Sequence, residues 1–173
     1  MARRVVKSDP TDETFVFDDD WNEPDGRIHR MEFTIGLKGR VPRHVHPATA
    51  ETFEVVSGVL SVRFGGRTLR LGPGERTATG PGQAHSLWNE GTEAAHVITW
   101  YDPPLAIEPF FTAIPHALAS NNPFKIAVLF AESSRVSQPS FPLSIFVRTL
   151  GALGHLMGLG GWYRPMSSQA GQR

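Results

Sequence analysis

The chain has 173 residues, enough for one domain with a substantial core, and its 17 basic residues balance 17 acidic residues. The balanced charge gives no indication of a nucleic-acid partner. There is no cysteine, which excludes disulfides and thiolate metal sites. The first residues contain no apolar stretch of the secretory type, so the sequence predicts a cytoplasmic protein.

The first part of the chain, residues 1–26, is an acidic arm. Eight carboxylates lie between Asp9 and Asp25, together with the aromatic side chains Phe15, Phe17 and Trp21. The spacing of these aromatic residues predicts an added edge strand rather than a mobile segment.

Residues 27–102 are predicted to form short strands separated by turns. In HRMEFTIGL, apolar residues from Met31 to Leu37 alternate with polar ones, which is the period of a strand with one buried face. TFEVV and VLSVRF flank Ser57-Gly58 and predict a hairpin, and Gly65-Gly66 predicts a two-residue turn into RTLRL. HSLWN and AHVITWY complete the series. This regular recurrence favours an all-β barrel or sandwich over alternating strands and helices.

Residues 103–165 are predicted to be a helical extension, and residues 166–173 a disordered tail. Helix-like apolar spacing begins after Asp102, and Asn122 followed by Pro123 has the pattern of a helix cap with proline at the first helical position. A third apolar stretch runs from Leu143 to about Leu159.

Metal-ligating side chains occur at strand spacing in RHVHPATAETFEVVSG. Residues i and i+2 of a strand point to the same face, so His44 and His46 can present two imidazoles side by side. Glu51 can join them from the next strand, and His85 begins the predicted strand HSLWN. Three imidazoles and a carboxylate suit a divalent first-row metal, and iron, manganese, nickel, copper, cobalt and zinc all remain open. The alternative is a hydrogen-bonded polar cluster that holds no metal.

These residues resemble the two motifs of the cupin family. His44-x-His46, four residues, Glu51, six residues and Gly58 fit the first motif, although Gly39 lies one residue closer than the pattern asks. Gly74, Gly82, His85 and Asn89 fit the second motif, with Gly80 where proline is usual. The resemblance covers about residues 28–101.

The resemblance implies the fold and the class of function. It implies an antiparallel β-barrel of the double-stranded β-helix or jelly-roll type, with His44, His46, Glu51 and His85 as metal ligands. It makes a metal-dependent dioxygenase-type oxidoreductase acting on a small organic substrate the leading expectation, with Glu51 either a permanent ligand or a base. The alternatives are a non-redox isomerase, cyclase or lyase, and a non-catalytic small-molecule-binding module. A homodimer is also expected.

Other candidate site residues rest on strand parity. His96 shares the parity of Ile98 and Trp100, so it is a candidate catalytic acid or base inside the barrel, with a hydrogen-bonded strand histidine as the alternative. An apolar substrate pocket is predicted from large side chains of matching parity, which are otherwise ordinary core: Met31, Phe33, Phe53, Phe64, Leu87 and Trp100.

The segment 141–163 raises a separate question. It is apolar on almost every face, is interrupted by Arg148 and His155, and contains the pair Gly154 and Gly158, which would permit close helix approach. No Asp or Glu follows Glu132 in the sequence. The segment therefore predicts a helix packed on the barrel or a partner subunit, an anchor on a membrane surface, or a transmembrane span.

Overall fold

The computed structural model describes residues 3–22, 26–37 and 39–163, and the predicted tail 166–173 lies outside the described residues. Its main elements follow in chain order: β1 (Arg4–Ser8), β2 (Glu13–Phe17), β3 (His29–Ile35), β4 (Arg40–Val45), β5 (Ala50–Ser57), β6 (Leu60–Phe64), β7 (Arg67–Leu71), β8 (Arg76–Thr79), β9 (His85–Asn89), β10 (Ala95–Asp102), α1 (Ile107–Ala119), α2 (Pro123–Glu132), β11 (Gln138–Pro139) and α3 (Leu143–Leu156). Short 3-10 helices span Asp9–Thr11, Asp19–Trp21 and Leu159–Gly161.

The strands form two antiparallel sheets. One sheet has the order β1-β2-β3-β10-β5-β8 and the other the order β11-β4-β9-β6-β7. The predicted antiparallel β domain is therefore present. Among the described residues, however, strand pairing does not join the two sheets into one closed barrel. The N-terminal arm contributes two strands, β1 and β2, at the edge next to β3.

The hairpin predicted around Ser57-Gly58 is wrong. β5 pairs with β10 and β8, whereas β6 pairs with β7 and β9, so the chain crosses from one sheet to the other at this point. Gly58 has φ +77°, and a Cβ atom there would lie 2.7 Å from the carbonyl oxygen of Ala94. A close approach of backbones therefore requires glycine at this corner.

The second predicted turn is present. Gly65 and Gly66 have φ of +55° and +78° and connect β6 to β7, which pair in antiparallel register. Successive positive φ values are those of the tight hairpin turns that suit the twist of paired strands.

The core lies between the facing apolar surfaces of the sheets and beneath the first two helices. In β3, Met31, Phe33 and Ile35 are buried, as the alternation predicts, although Leu37 just beyond the strand is 56 % exposed. α1 packs beside the N-terminal strands, and the ring centroids of Phe111 and Phe15 are 4.8 Å apart. The inner sheet faces thus supply a rigid wall for side chains placed among them.

The C-terminal extension forms three helices. Asn122 caps α2, because its side chain accepts hydrogen bonds from the backbone N–H groups of Phe124 and Lys125. α3 packs against α2 through Gly151 and Gly154, where added Cβ atoms would lie 3.0 Å from Ala131 Cβ and 2.7 Å from a methyl group of Val128.

The prediction that Gly154 and Gly158 together permit close helix approach is corrected, because Gly151 and Gly154 form the contact instead. Gly158 lies after the end of α3 with φ +80°, and a Cβ atom added there would have no neighbour within 4 Å. No helix among residues 3–22, 26–37 and 39–163 is both long and apolar enough to cross a bilayer.

Candidate metal centre

The four predicted ligands meet between the two sheets. His44 on β4 lies directly opposite His85 on β9, and both strands belong to the five-stranded sheet. Glu51 reaches the same point from β5 of the other sheet, and His46 follows His44 by two positions. His46, Glu51 and His85 are almost fully buried, whereas His44 is partly exposed. The centre is thus built by both sheets and opens toward solvent beside His44.

The ligand atoms are close enough to share one ion. One nitrogen or oxygen atom from each of the four side chains lies within 4.8 Å of every other. Glu51 Oε2 lies 3.0 Å from His46 Nε2 and 3.0 Å from His85 Nε2, and His44 Nε2 lies 3.2 Å from His46 Nε2. Three Nε2 atoms and one carboxylate oxygen therefore converge on a common centre.

Backbone carbonyls fix the orientation of all three imidazoles. Their Nδ1–H groups donate to the carbonyl oxygens of Pro42, Val136 and Gln83, at 2.9 Å for His44, 2.5 Å for His46 and 3.0 Å for His85. A carbonyl oxygen only accepts hydrogen bonds, so the proton of each neutral ring lies on Nδ1. Each Nε2 lone pair is consequently directed to the centre, the arrangement that outer hydrogen bonds impose on histidine ligands of metals.

Glu51 is held through its second oxygen. The Tyr101 hydroxyl donates to Oε1 at 2.5 Å, and the Thr99 hydroxyl lies 3.4 Å from the same atom. Both donors are buried on β10, which pairs with β5. Because these contacts occupy Oε1, they leave Oε2 directed toward the histidines.

Burial and neighbouring charges shift the pKa values of His44, Glu51 and His85. Burial, followed by the positive charges of His85 and His46, lowers the pKa of His44 to about 3. For Glu51, burial acts to raise the pKa, but the charge of His46 and hydrogen bonds from His46 and His85 hold it well below its usual value. Burial also acts to lower the pKa of His85, and its hydrogen bond and attraction to Glu51 raise it instead. The centre therefore favours an ionised carboxylate beside at least one neutral imidazole.

The donor set fits a divalent transition metal. Without a proton on either Nε2 atom, the lone pairs of His44 and His46 would meet over 3.2 Å, with the Glu51 carboxylate beside them. Such an arrangement lacks a donor and is stable only when a proton or a cation lies between the acceptors. Three nitrogens and one oxygen suit first-row divalent ions, so His44, His46, Glu51 and His85 would hold the ion.

Two other predicted site residues face away from the centre. The inward positions of β10 are Ala95, Val97, Thr99 and Tyr101, so His96 and Trp100 lie on the outer face of the sheet. There His96 Nε2 lies 3.0 Å from Glu32 Oε2, and the Arg76 guanidinium lies 4.6 Å from the Trp100 ring centroid. The expected inward orientation of both residues is corrected by this register.

The remaining predicted pocket residues lie in the core. Met31, Phe33, Phe53, Phe64 and Leu87 are each at most 5 % exposed. Phe53 and Phe64 border the centre, since the Phe53 ring lies 5.9 Å from that of His85 and Phe64 is opposite His85 in the sheet. Their contact with a substrate stays a prediction.

Sequence reasoning missed several groups at the centre, among them Thr99, Tyr101 and the Val136 carbonyl. Thr99 and Tyr101 belong to the strand face opposite to the one that the sequence favoured, because both faces of AHVITWY carry large apolar residues. Alternation of Ala95, Val97, Thr99 and Tyr101 was the available signal. The third group, the Val136 carbonyl, leaves no trace in residue type, because any residue has a backbone oxygen.

Comparison with known proteins identifies the β domain. Residues 31–101 match the family model described as Cupin domain. Solved structures with the same fold include KdgF from Halomonas sp., with 17 % identity, a TM-score of 0.50, and coverage of 58 % of this chain and 86 % of that one. CapF of Staphylococcus aureus, a capsular polysaccharide assembling protein, matches with 20 % identity, a TM-score of 0.51, and coverage of 58 % and 30 % of the two chains. A search of the curated proteins gives no significant match. Residues 31–101 therefore form a cupin domain.

Proposed function

We propose that this protein with a cupin domain is a metal-dependent oxidoreductase of the dioxygenase type that acts on a small organic substrate. The observation that carries the proposal is the convergence of three oriented Nε2 atoms and the Glu51 carboxylate on one point, with ligand atoms within 4.8 Å of one another. A bound iron, manganese, copper or nickel ion supplies redox chemistry with dioxygen and coordination sites for a substrate oxygen, whereas zinc supplies Lewis-acid chemistry alone.

The surroundings of Glu51 favour a permanent ligand over a mobile base. Its two oxygens contact Tyr101, Thr99, His46 and His85, so a swing away from the centre would break buried contacts on both oxygens. Its pKa, held well below the usual value, also makes it a poor acceptor of a substrate proton.

Tyr101 does not replace Glu51 as a base. Burial, together with the charge of Glu51 and the hydrogen bond to it, raises the pKa of this phenol well above 10, so it keeps its proton near neutral pH. Enolate chemistry in an isomerase, cyclase or lyase requires a group that takes a proton. The hydroxyls of Tyr101 and Thr99 are fixed donors to Glu51 instead, which favours redox chemistry.

The partly exposed side of the centre supports access for a small molecule. His44 is the one ligand that is not fully buried, and its Nδ1 atom donates to the Pro42 carbonyl at the protein surface. Phe53 and Phe64 form apolar walls on the inner side near His85. A substrate with one metal-binding oxygen and an apolar body suits this combination.

The first test is metal content by mass spectrometry, on protein purified without an affinity tag, for the wild type and the variants His44→Ala and His85→Ala. The expected result is near-stoichiometric iron, manganese, copper or nickel in the wild type and loss of that metal in both variants. His96→Ala is the matched control, because this histidine lies on the outer face and should leave the metal content unchanged.

Oxygen uptake by the metal-loaded protein with a panel of enols, phenols and carboxylates then tests the reaction. Uptake in the wild type that disappears in both ligand variants supports a dioxygenase. Zinc as the only metal bound, or turnover without oxygen consumption, would contradict the redox assignment. A protein that binds no metal even after reconstitution would contradict the metalloenzyme proposal as a whole.

A further inference from the structure

An exposed apolar surface surrounds the last long helix. Of the large apolar side chains that are exposed among the described residues, most belong to residues 141–157: Phe141, Leu143, Ile145, Phe146, Leu153, Leu156 and Met157. Their exposed fractions reach 75 % at Phe141 and 84 % at Leu156. Isolated exposed apolar residues are common, but a contiguous group of this kind marks a surface that contacts another apolar phase.

These side chains form the outer face of α3. The inner face is buried against α2 through Gly151 and Gly154. Phe146 and Leu153 are separated by two helical turns, and Ile145 and Leu156 by three turns, so they align on the opposite side. We call this side, together with Phe141 before the helix, the outer α3 face.

The shape of the outer α3 face suits a lipid surface. The 14 residues of α3 span about 21 Å, so the face is a single strip along one helix. The binding of an interfacial helix grows with the apolar area that it buries and with its attraction to anionic lipids. The helix is also shorter than the roughly 20 residues that a transmembrane span requires.

The charge of this part of the chain complements an anionic surface. No Asp or Glu follows Glu132 in the sequence, whereas Arg135, Arg148, Arg164 and Arg173 do. Arg148 is exposed on α3 itself, and Arg135 is exposed between α2 and β11. The one histidine of α3 is His155, and its Nε2 atom lies 3.0 Å from Glu132 Oε1. Cations beside an apolar helix face are typical of proteins that bind anionic lipid headgroups.

We propose that the outer α3 face docks on the surface of an anionic lipid bilayer, with α3 lying in the plane of the interface. The apolar side chains enter the boundary between headgroups and acyl chains, and Arg148 contacts lipid phosphates. The β domain and its metal centre are then held next to the membrane, which would give them access to amphipathic substrates.

Co-sedimentation of the full chain with lipid vesicles tests this proposal. The vesicles consist of phosphatidylcholine alone or of equal parts of phosphatidylcholine and phosphatidylglycerol, at low and at physiological salt. The wild type should sediment with the anionic vesicles and much less with the neutral ones, and higher salt should weaken binding. Leu156→Asp should reduce the partition coefficient at least about tenfold, because it places a charge where an apolar side chain would be buried.

Leu37→Asp is the matched control. Leu37 is 56 % exposed but follows β3, outside the outer α3 face, so the same substitution there should leave vesicle binding unchanged. Circular dichroism and metal content of both variants report whether the fold is retained. Arg148→Gln should weaken binding to anionic vesicles and leave the weaker binding to neutral vesicles unaffected.

Two outcomes would overturn the proposal. In one, the wild type stays in the supernatant with both vesicle compositions. In the other, vesicle binding is equally reduced by Leu37→Asp and Leu156→Asp. A concentration-dependent dimer that Leu156→Asp dissociates, without any vesicle binding, would instead assign the outer α3 face to a second copy of the chain. Because vesicle binding is measured without turnover, its failure is distinguishable from failure of the proposed oxidoreductase activity.

Discussion

Removal of one buried hydroxyl tests how the metal centre is held. In Tyr101→Phe, Glu51 Oε1 loses its contact at 2.5 Å and keeps only the longer contact of 3.4 Å with Thr99. A hydrogen bond to a charged group contributes about 1.5–3 kcal/mol, so the free energy of unfolding of the metal-free protein should fall by about that amount. Loss of such an outer contact should also weaken metal binding about 10–100-fold, because Glu51 can then turn away from the centre.

The assay is competition of the protein with a chromophoric chelator for Co²⁺, together with urea unfolding of the metal-free form. Tyr163→Phe is the matched control, because it also removes a buried phenol oxygen, here the acceptor of a 3.0 Å hydrogen bond from Ser133. The control should lose about 1 kcal/mol of stability while it keeps the wild-type affinity for metal. Equal Co²⁺ affinity in wild type and Tyr101→Phe would refute the argument that Tyr101 holds Glu51 in position as a ligand.

Three further predictions follow from packing, charge and register. Gly154→Ala should lower the free energy of unfolding by about 1–3 kcal/mol in urea titrations, because the new methyl group would overlap α2. Gly161→Ala should have little effect, since its methyl group would meet open space. Equal effects of the two substitutions would contradict the packing of α3 on α2. The pKa of His44 is about 3 in the folded chain and 6.5 in the unfolded chain, so the unfolded state takes up a proton first as the pH falls. His44 alone should therefore lower the free energy of unfolding of the metal-free protein by about 2 kcal/mol between pH 7 and pH 5. The raised pKa of His85 opposes part of that loss. If the stability of His44→Asn depends on pH as strongly as that of the wild type, His44 is not the source of the pH dependence. His96→Gln should leave metal affinity and oxygen uptake unchanged, and a large loss of turnover with normal metal content would restore a role for this outer residue.

The cluster of candidate ligands was predictable from the sequence, in part from local spacing and in part from the resemblance to two cupin motifs. His44 and His46 lie two residues apart, so any extended backbone presents both to one face. Glu51 and His85 are recognisable by their positions in two motifs, and the structure brings all four together. Strand positions and the Asn122 cap were also predictable, since alternation and capping residues act over a few positions.

Other features depend on pairing between distant segments. The orientation predicted for β10 from strand parity was wrong, because both faces of this strand carry large side chains. Only its pairing with β3 and β5 decides that Tyr101 faces inward and His96 outward. Similarly, Ser57-Gly58 has the composition of a hairpin turn, but β5 pairs with β10 and β8 instead of with β6. In each case tertiary pairing overrides a local signal that is consistent with two structures.

The helical extension contributes to the candidate metal centre and also forms a separate surface. The match to the cupin family ends at residue 101, yet the Val136 carbonyl accepts the hydrogen bond that orients the buried candidate ligand His46. β11 then pairs with β4, the strand that carries His44, and α3 begins four residues after β11 ends. A displacement of α3 would therefore act on two ligands through one short connection. If docking of the outer α3 face changes metal affinity through this connection, metal binding must change docking by the same factor, because the coupling free energy between two sites is reciprocal.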